Sequence, residues 1–392
     1  MRDGWIETSL EEIAEVIMGQ SPDGKTYNQS GDGLPFMQGS AEFGEHHPTP
    51  EKWCSDPKKI AEPGDLLLSV RAPVGDTNFA DQKIAVGRGL SVIRANSNSV
   101  TEFIRYVIQL NVAEMIASSG TGMFASITGK NLKEFKVLLP PLPEQKRIVD
   151  LISSVDSYIE ALQQQLESAK RSRNAVLHKT FHIDGLNWKL QKLYECTQKI
   201  SDGSHNPPKG IEESEFLMLS SKDIWNGYLT NHDPRFLKQS DFELENKRTQ
   251  LESGDVLLTV VGTIGRCAVY RGYPKNVTFQ RSVCVIKTSK DILNECFLMM
   301  YLQSIQSYLD QNARGVAQRG IYLNQIRDLE IPVPTLSEQL AVVSNIEVFD
   351  TFIQETQKVV AQTQKLRAAM LTNLLSGERA IPDSYDKGMG AA

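Results

Sequence analysis

The sequence predicts an α/β (α+β) protein built as two pseudo-symmetric globules. Two long helices, forming an antiparallel coiled coil, are expected to separate them. Three observations predict this. The first is a repeat: residues 137–147 read VLLPPLPEQKR and residues 331–341 read IPVPTLSEQLA, so that Glu144-Gln145 and Glu338-Gln339 lie 194 positions apart (338 − 144). Solenoid units run about 20–50 residues, so this period corresponds to a domain plus a connector. The second is strand-like segments that recur in both halves. The third is a heptad seam after each Glu-Gln pair.

Taken in chain order, Trp5 in GWIETSL matches Trp188 in NWKLQKL, an offset of 183 (188 − 5). PGDLLLSVRAPVG (63–75) matches SGDVLLTVVGTIG (253–265) at 190, and RGLSVIR (88–94) matches RSVCVIK (281–287) at 193. From Ile127 and Ile321 onward the offset is 194. The matched segments are framework and the unequal stretches between them are loops, where recognition chemistry tends to reside. After a Gly-Asp turn, Leu66, Leu68 and Val70 recur every second residue, as do Val256, Leu258 and Val260, which is strand periodicity. Short apolar helices are expected in EFIRYVIQL (102–110) and CFLMMYLQSIQSYL (296–309). Strands mixed with a few helices make an α/β or α+β globule.

The long helices carry the clearest period. Ile148, Ile152, Val155, Ile159, Leu162, Leu166, Ala169, Arg173 and Val176 alternate steps of four and three. Adding 194 gives Val342, Ile346, Phe349, Ile353, Thr356, Val360, Thr363, Arg367 and Met370. A narrow seam sustained over about four heptads requires a partner helix, and its counterpart in the other half is the natural one. At 1.5 Å per residue, about 38 residues span roughly 57 Å. Arg173 and Arg367 sit at equivalent seam positions. They read as register control or a polar end to the pair; a side chain snorkelling from a frayed end is the plainer alternative. The expected division is 1–142 first globule, 143–182 first spacer helix, 183–336 second globule, 337–378 second spacer helix and 379–392 a mobile tail.

Composition narrows the function classes. A formal charge of −6 argues against non-specific coating of nucleic acid, because counterion release rewards dense Lys and Arg. It leaves room for a specific reader with local basic loops. Five scattered cysteines without a CxxC, and an N-terminus without a basic-then-apolar signal pattern, lead to the expectation of free thiols in a reducing cytoplasm. No apolar run approaches the ~20 residues of a membrane span.

Familiar motifs fare poorly. GQSPDGKT (19–26) matches GxxxxGK[ST] literally, but the turn-rich YNQSGDGLP follows where a phosphate loop needs a helix N-terminus. Asn206-Pro207-Pro208 resembles part of an amino-methyltransferase motif, yet Lys209 stands where the aromatic should be, and no glycine-rich cofactor loop accompanies it. His178 and His182 lie four apart on a helix without an acid or cysteine cluster, and His46-His47 is a turn-flanked pair. No metal site and no catalytic residue are expected.

What remains suits base and phosphate contacts. GTGMFASITGKN (120–131) and ARGVAQRGIYLN (313–324) precede the last strand of each half. They offer Ser126, Thr128, Lys130 and Asn131, then Arg314, Gln318, Arg319, Tyr322 and Asn324. A second matched pair of polar loops, MGQSPDGK (18–25) and ISDGSHNPPKG (200–210), offers Gln20, Ser21 and Lys25, then Ser204, His205 and Lys209. Arg71 belongs to the first framework match, and Arg88 and Arg281 open matching strands. Arg and Lys reach phosphates or guanine, and Asn and Gln can read adenine.

Together these features resemble the specificity subunit of type I restriction–modification systems. The residues that carry the resemblance are PLPEQKRIVDLI with its helix to VLHKTF (140–181), PTLSEQLAVVSNI with its helix to MLTNLLSGE (334–378), and the strands PGDLLLSVRAPVG and SGDVLLTVVGTIG. The resemblance extends from Trp5 to about Glu378. It implies two target-recognition domains, each reading one half of a split, asymmetric site in double-stranded DNA, with the helices setting the unread gap. It also implies no catalysis by this chain, docking of two DNA methyltransferase subunits and two translocase–nuclease subunits, and S-adenosylmethionine, ATP and magnesium held by those partners, without a membrane. The alternatives are a stand-alone DNA modification enzyme and a coiled-coil scaffold without DNA contact.

Overall fold

The computed structural model describes residues 4–118, 126–182, 188–315, 319–382 and 384–386. The chain divides into unit 1, residues 1–163 with 359–392, and unit 2, residues 164–358.

In unit 1 the framework segments form an antiparallel sheet in the order Ala14–Met18, Leu90–Ala95, Leu66–Ser69, Thr77–Phe79. Leu66–Ser69 is buried on both faces. Leu66, Leu68 and Val70 pack with Phe103, Tyr106 and Val107 of the helix Thr101–Ser118. Leu67 turns the other way, into a separate core with Met37, Ile84, Val86 and Val92. That core backs onto a five-stranded sheet in which Leu34–Met37 runs parallel to Ile84–Val86. The alternation predicted from sequence is present, with each face buried in its own core.

Unit 2 repeats the plan. Its sheet runs Thr197–Asp202, Val283–Thr288, Val256–Thr259, Cys267–Val269. Val256, Leu258 and Val260 pack with Phe297 and Met300 of the helix Glu295–Ser304, while Leu257 joins Phe279, Val283 and Val285. The second layer differs. Leu217–Leu219 pairs in parallel with Val277–Phe279, and a helix at Gln239–Thr249 has no counterpart among the described residues of unit 1. The Gly-Asp turns match closely. Gly64 and Gly254 take positive φ (88° and 99°), which glycine adopts at little cost. Asp65 and Asp255 then accept from the amides of Glu62 (2.7 Å) and Glu252 (2.8 Å) and pair with Arg94 (2.7 Å) and Lys287 (2.8 Å).

The long helices are Leu142–Phe181 and Leu336–Leu375. Each begins on its Glu-Gln pair. Gln145 is fully buried: its Oε1 accepts from Val100 N (3.0 Å), and its Nε2 donates to Asn98 O (3.0 Å) and Pro140 O (2.9 Å). Gln339, also fully buried, repeats all three bonds with Asn294, Ile292 and Pro334, each at 2.8 Å. Trp5 Nε1 donates to Glu144 (3.0 Å), and Trp188 hydrogen-bonds Glu338. Glu338 also closes a capping box with Thr335, whose hydrogen bonds hold its carboxyl below the usual range. Pro141 stands where Thr335 does, so Glu144 has no such box.

Every predicted seam residue is at least half-buried, and Ile148, Ile152, Ile159, Leu166, Ile346, Thr356 and Val360 are buried. In unit 1, Ile148 and Ile152 share a core with Leu371, Leu374 and Leu375 of an antiparallel partner segment. In unit 2, Leu177 packs with Val343 and Ile346. The seam arginines are register locks and not frayed ends. Arg367 pairs with Asp156 in unit 1 (Nη2–Oδ2 3.0 Å), and Arg173 pairs with Asp350 in unit 2 (Nη2–Oδ2 3.2 Å). Both partners are 194 apart, so one ion pair is written twice.

The expectation of a mobile tail from 379 is corrected for its described part. Ile381 is buried in the core of unit 1, Tyr385 Oη donates to Asp150 (2.6 Å), and Arg147 makes a bidentate pair with Asp386 (2.8 and 2.6 Å). An apolar anchor and a charged clamp outweigh the polar composition that suggested mobility.

Candidate nucleic-acid interface

In unit 2 the two predicted loops meet. Asp202 ends its strand opposite Cys284, and the next residues are pressed against the strand connection 279–283. Ser204 N donates to Phe279 O (2.7 Å) and Arg281 N to Ser204 O (2.8 Å). A Cβ on Gly203 would stand 2.1 Å from Phe279 O, so only glycine fits. From the other side, Val261 bridges Gly320, and Ile321 N donates to Val260 O (2.8 Å). The result is a cleft of about 280 Å³ lined by His205, Arg281, Arg314 and Tyr322 over an apolar floor that includes Val260 and Ile321. Four of the predicted residues thus share one wall system, with Ser204 buried beneath.

Two residues that sequence reasoning did not select organise this cleft. Asp202 is buried (8% exposed). Its carboxylate accepts from Arg248 (Nε–Oδ1 3.1 Å) and meets His205 Nε2 at 2.7 Å. Arg248 comes from the helix Gln239–Thr249, 46 residues further along the chain, and no local spacing could have revealed it.

Unit 1 builds the same backbone. Met18 lies opposite Ser91, the register position equivalent to Asp202 and Cys284. Gly19 N donates to Leu90 O (2.9 Å) and Gln20 N to Val86 O (3.0 Å). Arg71 bridges Ser126, and Ile127 N donates to Val70 O (3.0 Å). Gln20, Ser21, Arg71, Arg88 and Ser126 are therefore gathered at one end of the sheet. The side-chain chemistry differs: Ser21 Oγ donates to Gln38 Oε1 (3.1 Å) and receives Arg88 N (3.4 Å).

Several expectations need correction. Thr128, Lys130 and Asn131 do not stay in a loop: Thr128 caps the helix Gly129–Glu134, accepting from Asn131 N (3.2 Å). Lys130 faces Glu134 (4.0 Å). Asn324 lies on the helix Leu323–Arg327. Arg319 is committed to Asp310, whose carbonyl it donates to and whose carboxylate lies 3.9 Å away. Lys25 lies in a 3-10 turn that hydrogen-bonds Asp23 and is followed by a strand, and Lys209 follows Pro208, whose carbonyl takes Arg235 (2.9 Å). Neither is tied to the clusters above. Gln318 lies outside the described residues, as do 120–125 of the first loop. His178 and His182 stack on one another, ring centroids 4.4 Å apart. No helix among the described residues is long and apolar enough to cross a membrane. All five cysteines are buried and unpaired.

Residues 2–171 and 218–363 match the family described as type I restriction modification DNA specificity domain. The chain belongs to that family. It is a DNA sequence-specificity subunit with two recognition domains, as the doubled strands and Glu-Gln segments led one to expect. A stretch of 174 residues is 38% identical to the "Putative type I restriction enzyme MjaX specificity subunit" of Methanocaldococcus jannaschii, covering 44% of this chain and 41% of that one. Similarity to the EcoBI specificity subunit of Escherichia coli is lower, at 22%, but runs over 96% of this chain and 87% of the other. The fold matches a chain from a study of complex assembly and conformational transition of the type I restriction–modification system, with a TM-score of 0.66, 17% identity and coverage of 96% and 98%. It also matches the S subunit of M. genitalium, with a TM-score of 0.58, 13% identity and coverage of 95% and 96%.

Proposed function

We propose that each unit reads one half of a bipartite, asymmetric DNA site through its cleft, and that the long helices set the unread gap. The observation that carries this reading is the pair of equivalent clusters, Arg71–Ser126 and Val261–Gly320, on one framework with different side chains around them. A copied backbone with rewritten polar groups suits two half-sites of different sequence. The chain itself would be non-catalytic. Methyl transfer and restriction would belong to two methyltransferase and two translocase–nuclease subunits docked on it in the cytoplasm, which would hold S-adenosylmethionine, ATP and magnesium. A solved chain of the same fold comes from a type I system characterised for its complex assembly, which supports this reading.

The test is to purify the chain with a candidate methyltransferase subunit and map methylated sites across a genome. Replacing residues 183–336 by those of another family member should change one half-site and leave the other. A change in both, or methylation by the chain without a partner, would overturn the proposal. Removing one heptad from a helix should keep the seam and alter the gap.

A further inference from the structure

The cleft of unit 2 contains a preset hydrogen-bond acceptor. Asp202 is buried and paired with Arg248, whose guanidinium meets both its carboxylate and its carbonyl (Nε–O 2.9 Å). A buried carboxylate is tolerable when paired in this way. It can only accept, so the His205 Nε2 at 2.7 Å is the nitrogen that donates. In a neutral imidazole the other nitrogen, Nδ1, then carries a lone pair. No group among the described residues is bonded to it, and the ring, half-exposed, lines the cleft beside Arg281, Arg314 and Tyr322. Gly203 and the backbone bonds of Ser204 fix where this ring starts.

Resting on the function proposed above, we propose that His205 is a specificity-determining residue of the second half-site. It reads an exocyclic base amine, adenine N6 or cytosine N4, in the major groove, and Asp202 with Arg248 are the residues that position it. An acceptor in the major groove matches those amines and rejects the acceptor edge of guanine. Arg281 and Arg314 flank it as cations for phosphate or guanine. Unit 1 has no such device: Met18 replaces the acid and Ser21 the imidazole.

The experiment selects sites from an oligonucleotide pool randomised in both half-sites, using the complex with methyltransferase subunits. The half-site of unit 2 is identified by the swap of residues 183–336. His205→Ala should lose base preference about tenfold at one position of that half-site, while the other half-site is unchanged. His205→Gln, which still offers an acceptor, should keep an amine preference there. Asp202→Asn should relax the same position several-fold, with the melting temperature checked for each variant. Because His205 is half-exposed, its replacements test the idea even if Asp202→Asn unfolds the unit. Unchanged preferences in His205→Ala would overturn the assignment, as would an equal loss on all sequences with a shallower salt dependence. If the wild-type complex selects no sequence at all, the function proposed above falls with it. If the wild type selects a site and His205→Ala selects the same one, only this assignment falls.

Discussion

In unit 2 the strand-end residue Asp202 gathers Arg248 and His205 into a charged network. At the same register position unit 1 has Met18, packed on its apolar core, and nearby Ser21 bonds Gln38 instead. The backbone beneath is the same in both. At the starts of the long helices and along their seam the contrast reverses. Gln145 and Gln339 make the same three hydrogen bonds, and Arg367–Asp156 and Arg173–Asp350 are the same ion pair. The comparison teaches where a duplicated protein can change. Groups that hold an element in place have every partner specified, so both copies retain them. The polar groups around the two clefts are not held by a shared set of internal partners, and each copy has acquired its own.

The sharpest way to break this comparison is to remove the copied clamps. Gln145→Leu and Gln339→Leu each strand buried backbone groups and should destabilise the affected unit by about 2–4 kcal/mol. Hydrogen exchange resolved by unit should show equal losses; a large loss in one and none in the other would mean that the copies are not equivalent. Next, Asp156→Ala and Asp350→Ala should each cost about 1–2 kcal/mol in denaturant unfolding, since both pairs are charged, bidentate and partly buried. Arg367 is held above its usual range by the hydrogen bond it donates to Asp156, the direction expected of a lock. Charge reversal in the double variant Asp156→Arg with Arg367→Asp should recover part of the loss.

Smaller effects sharpen the cleft side. Arg88→Ala and Arg281→Ala occupy equivalent strand starts. If both meet phosphate, each should weaken binding by a few-fold on all sequences and reduce the salt slope by about 1. A change of base preference in one alone would mark it as a reader. The smallest effect concerns the described part of the tail, docked on unit 1. The hydrogen bond to Asp150, and then burial, push the Tyr385 phenol up to about 12 from 10.0. A raised value means the protonated phenol favours the docked tail, fully so below about pH 10, and that this contribution is lost as pH rises through about 12. Limited proteolysis of the tail should accelerate over that window, and Tyr385→Phe should remove the dependence.

Much of the framework was legible in the residues. The heptad steps from Ile148 and Val342 placed both helices, and the Gly-Asp turns placed the central strands. Periodicity works there because burial acts on each residue by position. The Glu-Gln pair was visible as a landmark, but its work was not: the partners of Gln145 include Asn98 and Val100, some 45 residues away. The candidate cleft was half legible. His205, Arg281, Arg314 and Tyr322 were selected from polar loops and do meet. Arg319 and Asn131 were selected on the same grounds and are engaged by Asp310 and Thr128.

Sequence alone therefore determined the duplication, the seam, the strand pattern and the loops in which the halves differ. All of these are local or periodic, and physical chemistry acts on them through nearest neighbours. Which polar residues are spent inside the protein and which stay exposed at the cleft was set by contacts distant in the chain. Only the tertiary structure brought Arg248 to Asp202, turned Asp202 toward His205, and docked Tyr385 on Asp150. The first and last of those choices join chain segments 46 and 235 residues apart, where a hydrogen bond forms only after the fold has carried its partners together.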